Sequence, residues 1–342
     1  MGGGASTPAL AAAVSEAGGL GFLAAGYRSS EAVRADVAAV RARTARPFGV
    51  NLFAPPQPVP DAAAVERYAR ALQRHGATGS ARHDDDGWDE KLALVADLAV
   101  PVVSFAFGCP EAAIVARLRA AGAAVWITVT DAGEARTAEA AGADALVVQG
   151  VEAGGHRATF DDTAPVDLGL LAALQLVAAA SALPLIATGG LATGRSVAAV
   201  LAAGAAAAQL GTAFMLAPEA ATAPAHRDAV AGDAPTGLTR AFTGRTARGI
   251  VNAFQRAHTD EAPLGYPDVH YVTAPLRAAA RERGDADGFH LWAGQAHALA
   301  EPLPAAELVR RLAAEARAAL TAAAAAGGGA PPPRSAAGRT TP

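Results

Sequence analysis

The chain alternates short apolar runs with Ala-rich amphipathic segments. Seven runs stand out: residues 20–24 (LGFLA), 48–53 (FGVNLF), 100–107 (VPVVSFAF), 124–130 (AVWITVT), 145–149 (ALVVQ), 185–188 (LIAT) and 206–210 (AAAQL). Each is short, β-branched or aromatic in character, and apolar on both alternating faces, as a parallel strand covered on both sides must be. Between them, helices are predicted over residues 7–16, 65–75, 111–121, 131–141, 167–180 and 195–203. The first opens on Ser6-Thr7-Pro8, a capping residue followed by proline in the first turn. Several helices end in Ala-Gly just before the next strand, at Gly18, Gly122, Gly142 and Gly204. Glycine there is the expected left-handed C-cap. The repeated helix–Gly–strand unit predicts right-handed βα crossovers in series.

This repetition predicts an α/β fold, a TIM (β/α)8 barrel over residues 1–218. In a closed barrel a strand precedes every helix. Here Met1-Gly2-Gly3-Gly4 leads directly into a helix, so either the sheet is open with seven strands or the first strand is missing from this chain; the second is expected, with the authentic start upstream. Beyond Met215 the pattern changes. Residues 219–303 carry more polar residues, prolines and aromatics, among them Phe242, Phe254, Tyr266, Tyr271, Phe289 and Trp292. They are read as a smaller, mostly helical subdomain on the substrate side. Residues 304–320 form a last amphipathic helix that packs back on the barrel. Residues 321–342 are low-complexity and expected to be disordered.

Composition narrows the function classes. Of 342 residues, 52% are hydrophobic and 18% charged, which excludes global disorder. A net charge of -4 argues against a nucleic-acid binder. The single cysteine, Cys109, excludes an intramolecular disulfide and any zinc site built on cysteine pairs. Mean hydropathy is +0.22, and residues 168–194 and 196–218 lack charge. Both stretches are rich in Ala and Gly, and Pro184 interrupts the first, so barrel helices and strands are expected rather than membrane spans. No signal peptide is visible, and a cytoplasmic location is expected.

In such barrels the chemistry sits at the C-terminal ends of strands. The polar residues there are Asn51, Ser104, Thr128, Gln149, residues 152–157, residues 188–190 and residues 209–212. Two of these segments, TGGLATG (188–194) and QLGT (209–212), leave a strand, turn on glycine and open a helix. Amides at such turns bind a phosphate dianion, and barrels place phosphate after strands seven and eight. The loop QGVEAGGHR (149–157) delivers His156, an acid/base candidate because imidazole titrates near neutrality. The run His83-Asp84-Asp85-Asp86 is read as a solvated loop, and no metal site is expected.

These segments resemble the nitronate monooxygenases, FMN enzymes once called 2-nitropropane dioxygenases. The resemblance rests on VVQGVEAGGHR, GGGASTPALAAAVSEAGGLGFLAAGY, FGVNLFAP, ATGGLATG and QLGTAF, with TRAFTGRTARGI and LWAGQ similar to the bacterial class I branch. It runs from Met1 to about residue 312. It implies FMN as cofactor, held through Met1, Gly2, Asn51, Gln149, Gly154, Gly189, Gly190, Gln209, Leu210, Gly211 and Thr212. It implies His156 as the catalytic histidine, either an imidazolium holding the nitronate or a base for neutral nitroalkanes. The reaction implied is oxidation of alkyl nitronates, such as propionate 3-nitronate, by O2 to a carbonyl compound and nitrite or nitrate. The partners implied are these small molecules, with a homodimer as the candidate assembly and no nucleic-acid or membrane partner. The family carries a Pro-Met-terminated strand before the Gly-Gly turn, of which only Met1 remains here. Many relatives also carry a polar residue where this chain has Ala106. Tyr266 and Trp292 are candidate walls of the substrate pocket. The alternatives are an FMN-dependent enoyl-ACP reductase using NAD(P)H, which shares a Gly-Gly-His loop, and an inactive flavin-binding relative.

Overall fold

A computed structural model describes residues 4–327. Seven parallel strands form one curled sheet in the order β1 (Gly21–Ala24), β2 (Phe48–Phe53), β3 (Val102–Ala106), β4 (Ala124–Val129), β5 (Ala145–Gln149), β7 (Leu185–Thr188) and β8 (Ala207–Gln209). The predicted strands all form, with ends shifted by at most a few residues. β6 (Gly155–His156) is a short strand outside this sheet. The helices α1 (Pro8–Glu16), α2 (Ser30–Arg41), α3 (Ala62–Leu72), α4 (Trp88–Asp97), α5 (Ala112–Ala120), α6 (Ala132–Ala140), α7 (Leu170–Ala178) and α8 (Gly194–Ala202) connect the strands. This is an α/β, TIM-barrel-like fold. Helices α2 and α4 lie in segments where no helix was expected. Both present a sparse apolar stripe, Val33, Val37 and Val40 in α2 and Leu92 and Val95 in α4, between charged residues.

The local signals act as physics requires. Thr7 Oγ1 accepts from Leu10 N at 3.0 Å and caps α1, with Pro8 in the first turn. Gly18, Gly122, Gly142 and Gly204 all take positive φ, between +90° and +102°, where the helices stop. The core lies between sheet and helices. Val50, Val103, Phe105, Ile127, Leu146 and Val148 are all but inaccessible, and every residue of β3 and β5 is buried. β8 differs: Ala207 and Gln209 are exposed. It is an edge strand, so only one side of it is paired.

Residues 219–303 are not purely helical. Beside α9 (Pro224–Ala231), α10 (Ala253–His258) and α11 (Asp268–Glu282), they supply β9 (Thr236–Thr239) and β10 (Ala247–Ile250). These pair with β6 in a three-stranded antiparallel sheet of order β6-β10-β9. The short alternation in TGLT and ARGI gave little period to read; pairing with a distant segment makes them strands. The last helix, α12 (Ala305–Gly327), runs past Leu320, where a tail was expected to begin. Its Leu308 and Leu312 bury against Leu10, Phe214 and Ala217, and each contributes roughly 1.5–3 kcal/mol by that burial. Glu315 Oε2 accepts from Gly194 N at 3.0 Å, tying α12 to the start of α8. Residues 328–342, the rest of the expected tail, lie outside the described residues. No helix among the described residues is long and apolar enough to cross a membrane.

Candidate active site

β5, β7 and β8 lie side by side, with Gln149 opposite Thr188 and Thr188 opposite Gln209. This register brings the three strand ends and their loops together. The loop after β5 is braced from within. Gln149 is buried; its Oε1 accepts from Ala158 N (2.9 Å) and Arg157 Nη1 (3.2 Å), and its Nε2 donates to the His156 carbonyl (3.1 Å). Arg157, only 1% exposed, adds a bond to the Gly150 carbonyl at 2.9 Å. Gln149 therefore fixes where His156 stands.

The glycines are required by close approach. A Cβ on Gly154 would stand 2.5 Å from Ala293 C and Gly294 N, so only glycine lets residues 293–294 lie against this loop. Gly190 has φ +67°, and a Cβ there would meet Glu152 Cβ at 3.0 Å. Gly189 packs in the same way on Ala153. Gly294 N donates to Thr212 Oγ1 at 3.0 Å, which leaves the Thr212 hydroxyl proton free to donate elsewhere. Gly154, Gly189, Gly190 and Thr212 are thus joined through residues 152–153 and 293–294 into one cradle. Gln209 beside it is exposed, Gly211 is half-buried, and the Leu210 side chain packs with Leu10 and Phe214. Asn51 is not part of this group. It lies in β2, three strands from β5, and its Nδ2 donates to Ser104 Oγ at 2.9 Å. Met1 and Gly2 lie outside the described residues.

His156 stands on a strand rather than on a free loop: β6 pairs it with Ala247 of β10. Its ring is boxed by Trp292, Phe107 and Tyr266, at centroid distances of 5.5, 5.6 and 5.9 Å. Both candidate wall residues are therefore in contact with it. His156 Nε2 is 2.9 Å from Thr243 Oγ1, and that hydroxyl donates onward to the Arg245 carbonyl at 3.3 Å. Nε2 and the Thr243 hydroxyl are hydrogen-bonded to each other, with the direction set by the histidine tautomer. Burial, followed by the Arg245 and Arg277 guanidiniums, pushes the imidazole down to about 3, so it is neutral at neutral pH. Burial also holds the Tyr266 phenol above its ordinary value, hence protonated.

Sequence reasoning did not single out Phe107, Thr243 or Arg245. Phe107 closes β3 with φ +74°, and the Arg245 guanidinium lies 4.2 Å over its ring. A bulky residue before Gly108 at a strand end was the available signal. Ala106, beneath it, packs with Phe53, Ala158 and Tyr266. The acidic run is less solvated than expected: Asp86 pairs with the buried Lys91 at 2.7 Å, and Asp84 pairs with Arg82. Burial raises the Cys109 thiol to about 11, which keeps it protonated.

The segment 292–294 joins the two halves of the site, with Trp292 against His156 and Gly294 against Gly154 and Thr212. The chain as a whole is similar to known proteins. The chain is 42% identical over 328 residues to a nitronate monooxygenase of Paraburkholderia phytofirmans, covering 91% of this chain and 89% of the relative. The crystal structure of a nitroalkane oxidase from Streptomyces ansochromogenes superposes with a TM-score of 0.92 at 50% identity, covering 94% and 95% of the two chains. FabK from Thermotoga maritima superposes with a TM-score of 0.76 at 26% identity, covering 95% and 93%. The model of the nitronate monooxygenase family matches residues 1–315, and the chain belongs to that family of oxidoreductase enzymes.

Proposed function

We propose that this chain binds FMN and oxidises small alkyl nitronates with O2, yielding a carbonyl compound and nitrite or nitrate. Two observations support a flavin phosphate here: the Gly-Gly turn after β7 takes positive φ at Gly189 and Gly190 just before α8, and the Thr212 hydroxyl has a proton to donate. The amides of Gly190, Gly211 and Thr212 would complete the anchor. When bound, FMN supplies the electron acceptor between nitronate and O2.

The protein's own part falls to His156, and its neutral state carries the reading. A neutral imidazole keeps one ring nitrogen unprotonated and able to take a proton. That suits a base for the α-proton of a nitroalkane better than a standing imidazolium. The proton it takes leaves a nitronate anion beside it, and that charge offsets the burial and the two guanidiniums. Phe107, Tyr266 and Trp292 surround the imidazole with aromatic rings, which would shield the reacting carbon from water. The similarity to a nitroalkane oxidase supports the same role.

The test compares wild type and His156→Ala on a neutral nitroalkane and on its preformed nitronate, with flavin content measured by absorption. The variant is expected to lose at least ~100-fold in kcat/KM on the nitroalkane and much less on the nitronate. Full nitroalkane turnover by the variant removes His156 as the base. Absence of nitronate turnover together with NADH-dependent reduction of crotonyl thioesters replaces the reaction with an enoyl reduction.

A further inference from the structure

Behind Trp292 lies a second group of side chains that the proposed reaction does not use. His290 stacks on Trp292 with ring centroids 4.9 Å apart. Arg277 of α11, 6% exposed, points Nη1 at His290 Nδ1 (3.3 Å). Arg281, one turn further along α11, points Nη2 at His290 Nε2 (2.7 Å). A neutral imidazole offers one lone pair and a protonated one offers none. Two guanidinium donors therefore converge on a ring that can accept from only one of them.

The excess of donors is not relieved nearby. Arg277 Nε donates to Thr273 Oγ1 (2.9 Å), and Nη2 donates to the His270 carbonyl (2.7 Å) and lies 3.2 Å from His270 Nδ1, while Arg281 lies over the Phe289 ring at 5.2 Å; none of these partners carries a negative charge. The ion pairs formed among the described residues do not include Arg277 or Arg281. No carboxylate is among the groups that shift Arg277, and its neighbour Arg281 carries a like charge. Two cations thus share one histidine with an acceptor too few and no counter-charge, while Arg281 is exposed and opens the group to solvent.

We propose that Arg277 and Arg281 bind a small planar oxyanion of single charge beside His290. Such an anion supplies the missing acceptor and the missing charge together, and its paired oxygens match the guanidinium fork. Two sources share this chemistry: nitrite or nitrate released by the reaction, and a carboxylate. Only the first source rests on the proposed oxidation; the site itself does not require turnover.

Histidine-selective 15N labelling of the flavin-loaded protein reads the site directly, since the chain has 8 histidines. Sodium nitrate is titrated at constant ionic strength. The expected result is a saturable shift of the His290 ring nitrogens, with exposed His83 unmoved. Arg281→Gln is expected to weaken nitrate binding about tenfold or more, the loss of a charge-assisted hydrogen bond. Arg283→Gln, which removes an exposed arginine paired with Asp285, is expected to bind as wild type. The proposal is overturned if His290 shows no saturable shift, if Arg281→Gln binds nitrate as wild type does, or if Arg283→Gln weakens it equally. A shift confined to His156 also overturns it, because the anion then sits at the reacting centre. Repeating the titration with acetate separates the sources: tighter acetate binding identifies a carboxylate ligand, tighter nitrate binding the released inorganic anion.

Discussion

Acid should unfold this protein well before its carboxylates are neutralised. His156 is held at about 3, His226 at about 4 and His270 at about 2, far below the ordinary value of 6.5 and in each case chiefly by burial; His290 is likewise held well below it. In the folded chain they refuse a proton that the unfolded chain accepts. The sign follows directly. Above about pH 6.5 both states are neutral and the full stability is present; below it the unfolded state gains protons and stability falls until the folded values are reached. At about pH 5 an unfolded histidine is almost fully protonated and His156, His226 and His270 are still neutral in the fold, so each of these three costs ~2 kcal/mol. That figure depends on the unfolded value alone once the folded one lies at about 4 or lower, so it is the same for all three groups. Together they remove up to ~6 kcal/mol, against a total of only about 5–15 kcal/mol for an ordinary domain.

Urea unfolding followed by far-UV circular dichroism at about pH 7.5 and about pH 5 measures this. With a slope of ~3 kcal/mol/M, the midpoint should fall by ~2 M. His156→Asn, His226→Asn and His270→Asn should each remove ~2 kcal/mol of the pH dependence, whatever they do to stability at about pH 7.5. A midpoint that moves by less than about 0.5 M, or a pH dependence that all three variants retain in full, would refute the reasoning that burial keeps these rings neutral.

Other changes probe the cradle and its supports. Gly154→Ala drives a methyl into the backbone of residues 293–294 at 2.5 Å and should cost ~1–3 kcal/mol, read as a lower Tm and weaker flavin retention. Gly155→Ala, at φ +78° with nothing within 4 Å, should cost only the ~1–2 kcal/mol of its left-handed backbone and serves as the comparison. Thr212→Val strands Gly294 N and removes the free hydroxyl; flavin fluorescence titration should show FMN binding weakened about tenfold, and an unchanged Kd takes Thr212 out of the anchor. Lys91→Met leaves Asp86 without its 2.7 Å partner and should cost ~3 kcal/mol in urea unfolding, partly recovered by adding Asp86→Asn.

The barrel was legible because each βα unit carries its own instructions. A strand buried on both faces shows as an unbroken apolar run, and a helix that must stop before it shows as Gly18, Gly122, Gly142 or Gly204. Helices α2 and α4 escaped because their apolar stripes are only a few residues wide among charges. β9 and β10 escaped because four-residue strands take their identity from a partner, and β10 lies between β6 and β9. The site divides along the same line. Gln149, the Gly-Gly turn and His156 could be found because local glycines and a strand end mark them. Of the residues around His156, Tyr266 and Trp292 were candidate walls from the sequence and Phe107 and Thr243 were not; the four come from separate stretches and meet only after the antiparallel sheet forms. Periodicity reports which face of an element is buried, not which distant element covers it. The histidine's charge state is therefore a property of the assembled box. The same residue on an open loop would titrate near 6.5, and neutrality at about pH 5 is imposed by burial and by the guanidiniums of Arg245 and Arg277. The proposed role of His156 depends on a long-range contact set that a reading of local signals can anticipate only by resemblance.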